Sequence, residues 1–163
     1  MHEIKSSKPA ILSALALLAL LVSGSMRAGE RQIFPAPENA ESDIAAALQS
    51  AAATHKRVVL DFGGNWCVDC QVLDIFLHDA ANLPILDANY VLVHVNIGQL
   101  DRNLNIAARY DIPIAKGVPA LAVLGEQGEL LYSQRSGEFE AMSRMRSKAV
   151  TSFLEQWKPA KQG

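Results

Sequence analysis

Val58-Val59-Leu60-Asp61-Phe62-Gly63-Gly64-Asn65-Trp66-Cys67-Val68-Asp69-Cys70 passes from an apolar β-branched run through a glycine pair into two cysteines separated by two residues. These are the only cysteines in the chain, so any thiol chemistry is confined to this stretch. The apolar run suits a buried parallel strand, and Gly63-Gly64 turns the chain into a helix that starts at the cysteines. Thiols at positions i and i+3 in a first helical turn are neighbours and can close a disulfide with little backbone movement. Cys67, at the helix start, benefits from unpaired N–H groups and the positive end of the dipole, both of which stabilise a thiolate. Cys67 is therefore the candidate nucleophile and Cys70 its resolving partner.

The rest of the chain sets the context for this pair. A length of 163 residues, a net charge of −2 and a half-hydrophobic composition suit one globular domain and offer no electrostatic pull toward nucleic acid. Lys5 and Lys8 precede an apolar run, Ile11 to Val22, that only Ser13 interrupts; Ser23-Gly24-Ser25-Met26-Arg27-Ala28 follows. This pattern predicts a secretory signal over residues 1–28, cleaved after Ser25 or Ala28. The run is shorter than the ~20 residues a spanning helix needs, so no stable membrane insertion is expected after cleavage. Residues 29–163 are enough to bury a core without disulfide staples, and the cysteine pair is not needed to hold the fold. Export would place the pair in an oxidising compartment, where a structural disulfide also persists, so location alone does not make it catalytic.

Residues 29–41, with Pro35 and Pro37 and no hydrophobic period, read as an irregular leader. The domain proper is expected over 42–158, with a tail at 159–163. Ser42 can cap a helix to about Thr54, and the helix of the cysteines continues through Val72, Leu73, Phe76 and Leu77 to about His78. Asn82-Leu83-Pro84 starts a further short helix. In Tyr90 to Ile97, Val91, Val93 and Val95 share one face of a strand, with Leu92, His94 and Asn96 on the other. Asp101 can cap a helix reaching Tyr110. Ala120 to Leu124 and Glu129 to Gln134, joined through Gly125-Glu126-Gln127-Gly128, read as an antiparallel hairpin. A last helix is expected from about Glu138 to Trp157, with Met142, Met145, Ala149, Phe153 and Trp157 inward.

That order of elements, with Asp61, Trp66-Cys67-Val68-Asp69-Cys70 and Gly117-Val118-Pro119 in sequence, resembles the thioredoxin superfamily from about residue 41 to 158. Within it, the chain is similar to exported bacterial thioredoxin-like proteins and to the thiol–disulfide domain of the membrane electron transporter that feeds periplasmic reductases. The resemblance implies an α/β thioredoxin fold, a central mixed β-sheet flanked by helices, and no cofactor beyond the redox-active Cys67–Cys70 disulfide. It also implies roles. Cys67 attacks a substrate disulfide and Cys70 resolves the mixed disulfide. Trp66 flanks the substrate groove, Pro119 matches the family's cis-proline, and Val118 offers backbone groups to an extended substrate. Asp61 matches the buried carboxylate that takes the proton of the resolving thiol, and His94 falls where a lysine often pairs with that carboxylate. Three departures stand out: Val68-Asp69 replaces Gly-Pro between the cysteines, the following helix lacks its kinking proline, and the loop before Pro119 is longer.

The leading expectation is an exported, periplasmic thiol–disulfide oxidoreductase. Its partners would be protein disulfides and a membrane-bound or soluble thiol electron donor. Asp69, two residues from Cys67, disfavours a very stable thiolate, which argues for a reductase or electron carrier over a strong oxidant. Two other classes compete. One is a copper(I)-binding module using Cys67 and Cys70, although no Met or His stands at the motif to complete a site and no other metal site is expected. The other is a redox-inactive binding or chaperone domain using the groove near Pro119, against which the intact cysteine pair argues.

Overall fold

The computed structural model describes residues 31–160; the expected signal at 1–28 lies outside the described residues. Helix α1 (Ala40–Thr54) leads into β1 (Arg57–Gly63), then α2 (Val68–Leu77), α3 (Leu83–Asn89) and β2 (Tyr90–Asn96). Helix α4 (Leu104–Arg109), β3 (Ala120–Leu124), β4 (Leu130–Ser133) and α5 (Ser147–Trp157) complete the order. The strands form one sheet in the order β2-β1-β3-β4. β1 pairs parallel to β2 and antiparallel to β3, and β4 runs antiparallel to β3. The chain thus has the thioredoxin-type mixed sheet flanked by helices.

β1 is buried along nearly its whole length because both sheet faces are covered. Val58, Leu60 and Phe62 share one core with Ile44, Ala47 and Ala51 of α1, Ile106 and Ala107 of α4, and Val93 and Val95 of β2. Val59 faces the other way, into a core with Leu73 and Leu77 of α2, Leu121 and Val123 of β3, and Phe153 and Leu154 of α5. Each fully buried aliphatic side chain contributes about 1.5–3 kcal/mol against its exposed state, so these two apolar layers hold the sheet in place. Strand alternation has a direct consequence for the site. Asp61 and Gly63, at the same parity as Val59, project to the side of α2.

Several element limits differ from the sequence pattern. A 3₁₀ turn at Pro37–Asn39 runs into α1, which begins at Ala40 and not at a Ser42 cap; the Ser42 hydroxyl instead donates to the Asn39 carbonyl. Helix α4 starts at Leu104, after a left-handed Asn103, because the Asp101 carboxylate is spent on the Gln99 N–H inside the preceding turn. The last helix is shorter than expected: it starts at Ser147, and Met142–Arg144 form a separate 3₁₀ turn. Phe139 and Met142 are buried even so, because that irregular segment folds back over the second core. Apolar spacing alone cannot distinguish such a segment from helix. No helix among the described residues is long and apolar enough to cross a membrane.

Candidate active site

β1 ends at Gly63, and the Gly64-Asn65-Trp66 turn delivers Cys67 to the N-cap of α2. The Cys67 sulfur accepts the Cys70 N–H at 3.1 Å, so the sulfur itself caps the helix, where a thiolate gains most from the exposed N–H groups on reduction. Cys67 and Cys70 are joined in a disulfide, with Cα atoms 5.2 Å apart. Cys67 keeps 5% of its surface exposed and Cys70 none, an asymmetry set by the helix, which turns Cys70 inward one turn on. Beside the pair, the Val118–Pro119 peptide is cis, and the Val118 carbonyl oxygen lies 3.6 Å from the Cys67 sulfur. In the disulfide form there is no S–H to donate, so this is a van der Waals contact that becomes a hydrogen-bonding opportunity on reduction. The buried Gln134 amide braces that loop, donating to the Pro119 carbonyl and accepting from the Leu121 N–H. Trp66 stands at the rim, 39% exposed, its indole N–H donating to the Gly98 carbonyl at 2.6 Å.

Asp61 and His94 are register partners on β1 and β2. Asp61 is fully buried, with Oδ2 2.9 Å from His94 Nδ1 and Oδ1 without a hydrogen-bond partner. Burial pushes the Asp61 carboxyl above its ordinary range; the His94 hydrogen bond opposes this, and the nearby Asp74 charge adds to it. For His94, burial disfavours the imidazolium, but the hydrogen bond and charge of Asp61, together with the charge of Asp74, outweigh it and raise the pKa. The two groups form a coupled pair that retains a proton to higher pH than either residue does in water. A buried carboxyl with a free oxygen, on the sheet face toward Cys70, can accept a proton as that thiol ionises.

The sequence pattern does not single out Asp74, Asn65, Gln71 or the leader residues, yet they build this site. Asp74 on α2 is buried between Leu73 and Leu77 at inward positions, with Oδ1 3.8 Å from His94 Nε2 and 3.1 Å from His78 Nδ1. Its other oxygen is 2.6 Å from the Arg31 guanidinium. An aspartate at a helix position that should face the core was the available signal. Phe34 packs on Cys67 and Cys70, and its ring meets His94 edge-on at 5.1 Å. The irregular segment before α1 is thus docked on the site through Phe34. Asp69 turns its carboxylate to the Ser143 N–H at 2.6 Å, fixed within the first turn of α2.

Gly63 shows how tightly this site is closed. A Cβ there would lie 2.6 Å from the Cys70 sulfur and 2.7 Å from the Phe34 ring. Gly63→Ala is expected to cost about 1–3 kcal/mol by overpacking and to loosen Phe34. Urea denaturation of the oxidised protein measures this, and wild-type stability would show that the site has slack.

A thioredoxin-like family model matches residues 39–125. The thiol:disulfide interchange protein DsbD of Pseudomonas fluorescens is 27% identical over 119 residues, which covers 71% of this chain and 18% of that protein. The chain therefore spans under a fifth of the length of this curated relative. Among solved structures, a disulphide isomerase from Xylella fastidiosa Temecula1 superposes with a TM-score of 0.71 at 31% identity, over 76% of this chain and 95% of that one. The reduced C-terminal domain of DsbD from Neisseria meningitidis shares the fold at a TM-score of 0.50 and 19% identity, over 71% of this chain and 95% of that one. With the Cys67–Cys70 disulfide at the head of α2, these matches establish that the chain belongs to the thioredoxin superfamily and is a thiol–disulfide oxidoreductase of that fold.

Proposed function

We propose that the protein works outside the cytoplasm as a reductase or electron carrier, passing two electrons from a thiol donor to protein disulfides. The observation that carries this reading is the Cys67/Cys70 couple at the N-cap of α2, with the Val118 carbonyl against Cys67; the buried Asp61–His94 pair, on the face of β1 that looks toward α2, supports it. In the reduced protein the Cys67 thiolate attacks one sulfur of a substrate disulfide, and the other substrate sulfur leaves as a thiolate that takes up a proton. Cys70 then loses its proton to Asp61 and attacks the Cys67 sulfur. The Cys67–Cys70 bond forms, the bond to substrate breaks, and the substrate is released with both sulfurs reduced. The donor dithiol reverses these steps and regenerates the pair.

The reducing direction is supported by Asp69. Its negative carboxylate, held in the first turn of α2, offsets part of the helix field that would stabilise a Cys67 thiolate. Strong oxidants of this fold need the opposite. The likeness to DsbD supports a thiol donor and an exported setting, and the Lys5 to Ala28 pattern supports export independently.

Equilibration with glutathione redox buffers tests the direction, and turnover in an insulin disulfide-reduction assay tests the activity. A potential nearer to thioredoxin's ~−270 mV than to the ~−120 mV of a strong oxidant is expected. A value at the oxidising end overturns the direction, and no turnover with an intact couple overturns the substrate class. Copper(I) provides the check against the binding-module reading. Two thiolates without further soft ligands leave the ion open to solvent, so a strong chelator should strip it completely. Stoichiometric copper surviving chelation, without insulin reduction, would favour the metal module.

A further inference from the structure

Residues 31–36 form no regular element, yet four side-chain amides from elsewhere in the chain grip the backbone from Arg31 to Pro37. Asn65 accepts from the Ile33 and Phe34 N–H groups and donates to the Phe34 carbonyl; Gln71 donates to the Arg31 carbonyl, Asn96 to that of Pro35 and Asn103 to that of Pro37. Asn65 and Gln71 flank the cysteine motif itself. The residues that bracket Cys67 and Cys70 in sequence are thus the ones that dock the leader on it.

Docking places Phe34 against His94 and Arg31 against Asp74, the acid beside His94. Phe34, 4% exposed, lies on Cys70 and on the His94 ring, where it keeps water from the groups beneath. Arg31 holds the Asp74 oxygen that does not face His94. The charged and titratable groups around His94 are Asp61 from β1 and Asp74 from α2; around Asp74 they are His94 from β2, His78 beyond α2, and Arg31 from the leader. Arg31 is the one fixed positive charge in this set. It therefore offsets the field that Asp74 directs at His94 and Asp61, while Phe34 maintains the low dielectric in which that field acts.

We propose that the docked leader segment 31–35 is part of the redox site, with Phe34 and Arg31 as positioning residues that seal Cys70 and set the proton affinity of the Asp61–His94 pair. The proposal rests on the reading of Asp61 as proton acceptor, and it makes opposite predictions for its two side chains. Removing Arg31 leaves the Asp74 charge uncompensated, so Asp61 and His94 hold their proton more tightly. Removing Phe34 admits water, relieves the burial of Asp61 and lets its proton affinity fall.

The test is single-turnover resolution of a mixed disulfide from pH 5 to 9, with alkylation of Cys70 in the reduced full-length protein. Arg31→Gln should move the pH midpoint of resolution up, and Arg31→Lys should restore it. Phe34→Ala should move the midpoint down and speed Cys70 alkylation about tenfold or more, as expected for loss of local protection, with Phe34→Leu restoring most of both. Both shifts should vanish in an Asp61→Asn background. Midpoints that stay at the wild-type value, or that move in the same direction in both variants, overturn the proposal. If Asp61→Asn leaves resolution at the wild-type rate, the proton-acceptor reading fails, whereas unchanged Cys70 alkylation in Phe34→Ala defeats the seal on its own.

Discussion

Cys67→Ser is expected to abolish disulfide reduction, by roughly a thousandfold or more as for loss of a nucleophile, and to trap no substrate. Cys70→Ser should also stop turnover but accumulate mixed disulfides through Cys67. The asymmetry comes from the helix. Cys67 is the N-cap, with a small part of its surface open beside Val118, and Cys70 lies fully buried one turn in. A substrate sulfur can reach the first and not the second. Incubating each reduced variant with an unfolded disulfide-bonded protein and separating the products without reductant reads the result. Equal trapping by the two variants would reverse the assignment of attacking and resolving thiols. Limiting alkylation of the reduced wild type should label Cys67 first, for the same reason.

Asp61→Asn should slow resolution roughly a hundredfold, within the range of general-base catalysis, while slowing substrate capture much less. Capture needs only the Cys67 thiolate, whereas resolution requires the buried Cys70 to lose a proton where no water can take it. His94→Leu should shift the pH profile of resolution with a smaller loss of rate, because His94 acts through Asp61. The same substitutions carry an opposite signature in stability. The folded pKa of Asp61 is raised by burial, so the native state binds this proton more tightly than the unfolded chain, and stability falls as pH rises from the unfolded value through the folded one. His94 is also raised: its contribution is present below its ordinary pKa near ~6.5 and is lost as pH climbs through the folded value. Asp61→Asn removes a buried charge with one oxygen unpartnered. At alkaline pH the variant should therefore be more stable than wild type, because it carries no buried charge to desolvate. The gain should fade as pH is lowered and the wild-type carboxyl takes its proton. Thermal unfolding of the oxidised proteins across pH 5 to 9 measures it. A variant that is slow but no more stable at alkaline pH would mean that Asp61 is not strained by burial.

The sequence by itself determined the strand–turn–helix that carries the chemistry. Val58 to Phe62 has the length and β-branching of a buried strand, Gly63-Gly64 signals the turn out of it, and cysteines three residues apart at a helix start are placed to close a disulfide. The resemblance implied a pairing of Asp61 with His94, strand parity fixed the face each side chain takes, and the parallel pairing of β1 with β2 made them neighbours. What it could not supply were contacts between segments far apart in the chain. Asp74 is buried by α2 but acquires meaning only from Arg31, His78 and His94 around it. Residues 31–36 carry no hydrophobic period, and their order comes from amides at Asn65, Gln71 and Asn96, which no local pattern foretells. The segment from Phe139 to Met145 failed for the same reason: its apolar spacing resembles a helix, but tertiary packing buries it as an irregular crossing before α5. Local sequence encodes periodicity and turn chemistry; which irregular segment is fastened over the cysteines depends on long-range side-chain-to-backbone hydrogen bonds, and those exist only once the sheet has brought their partners together.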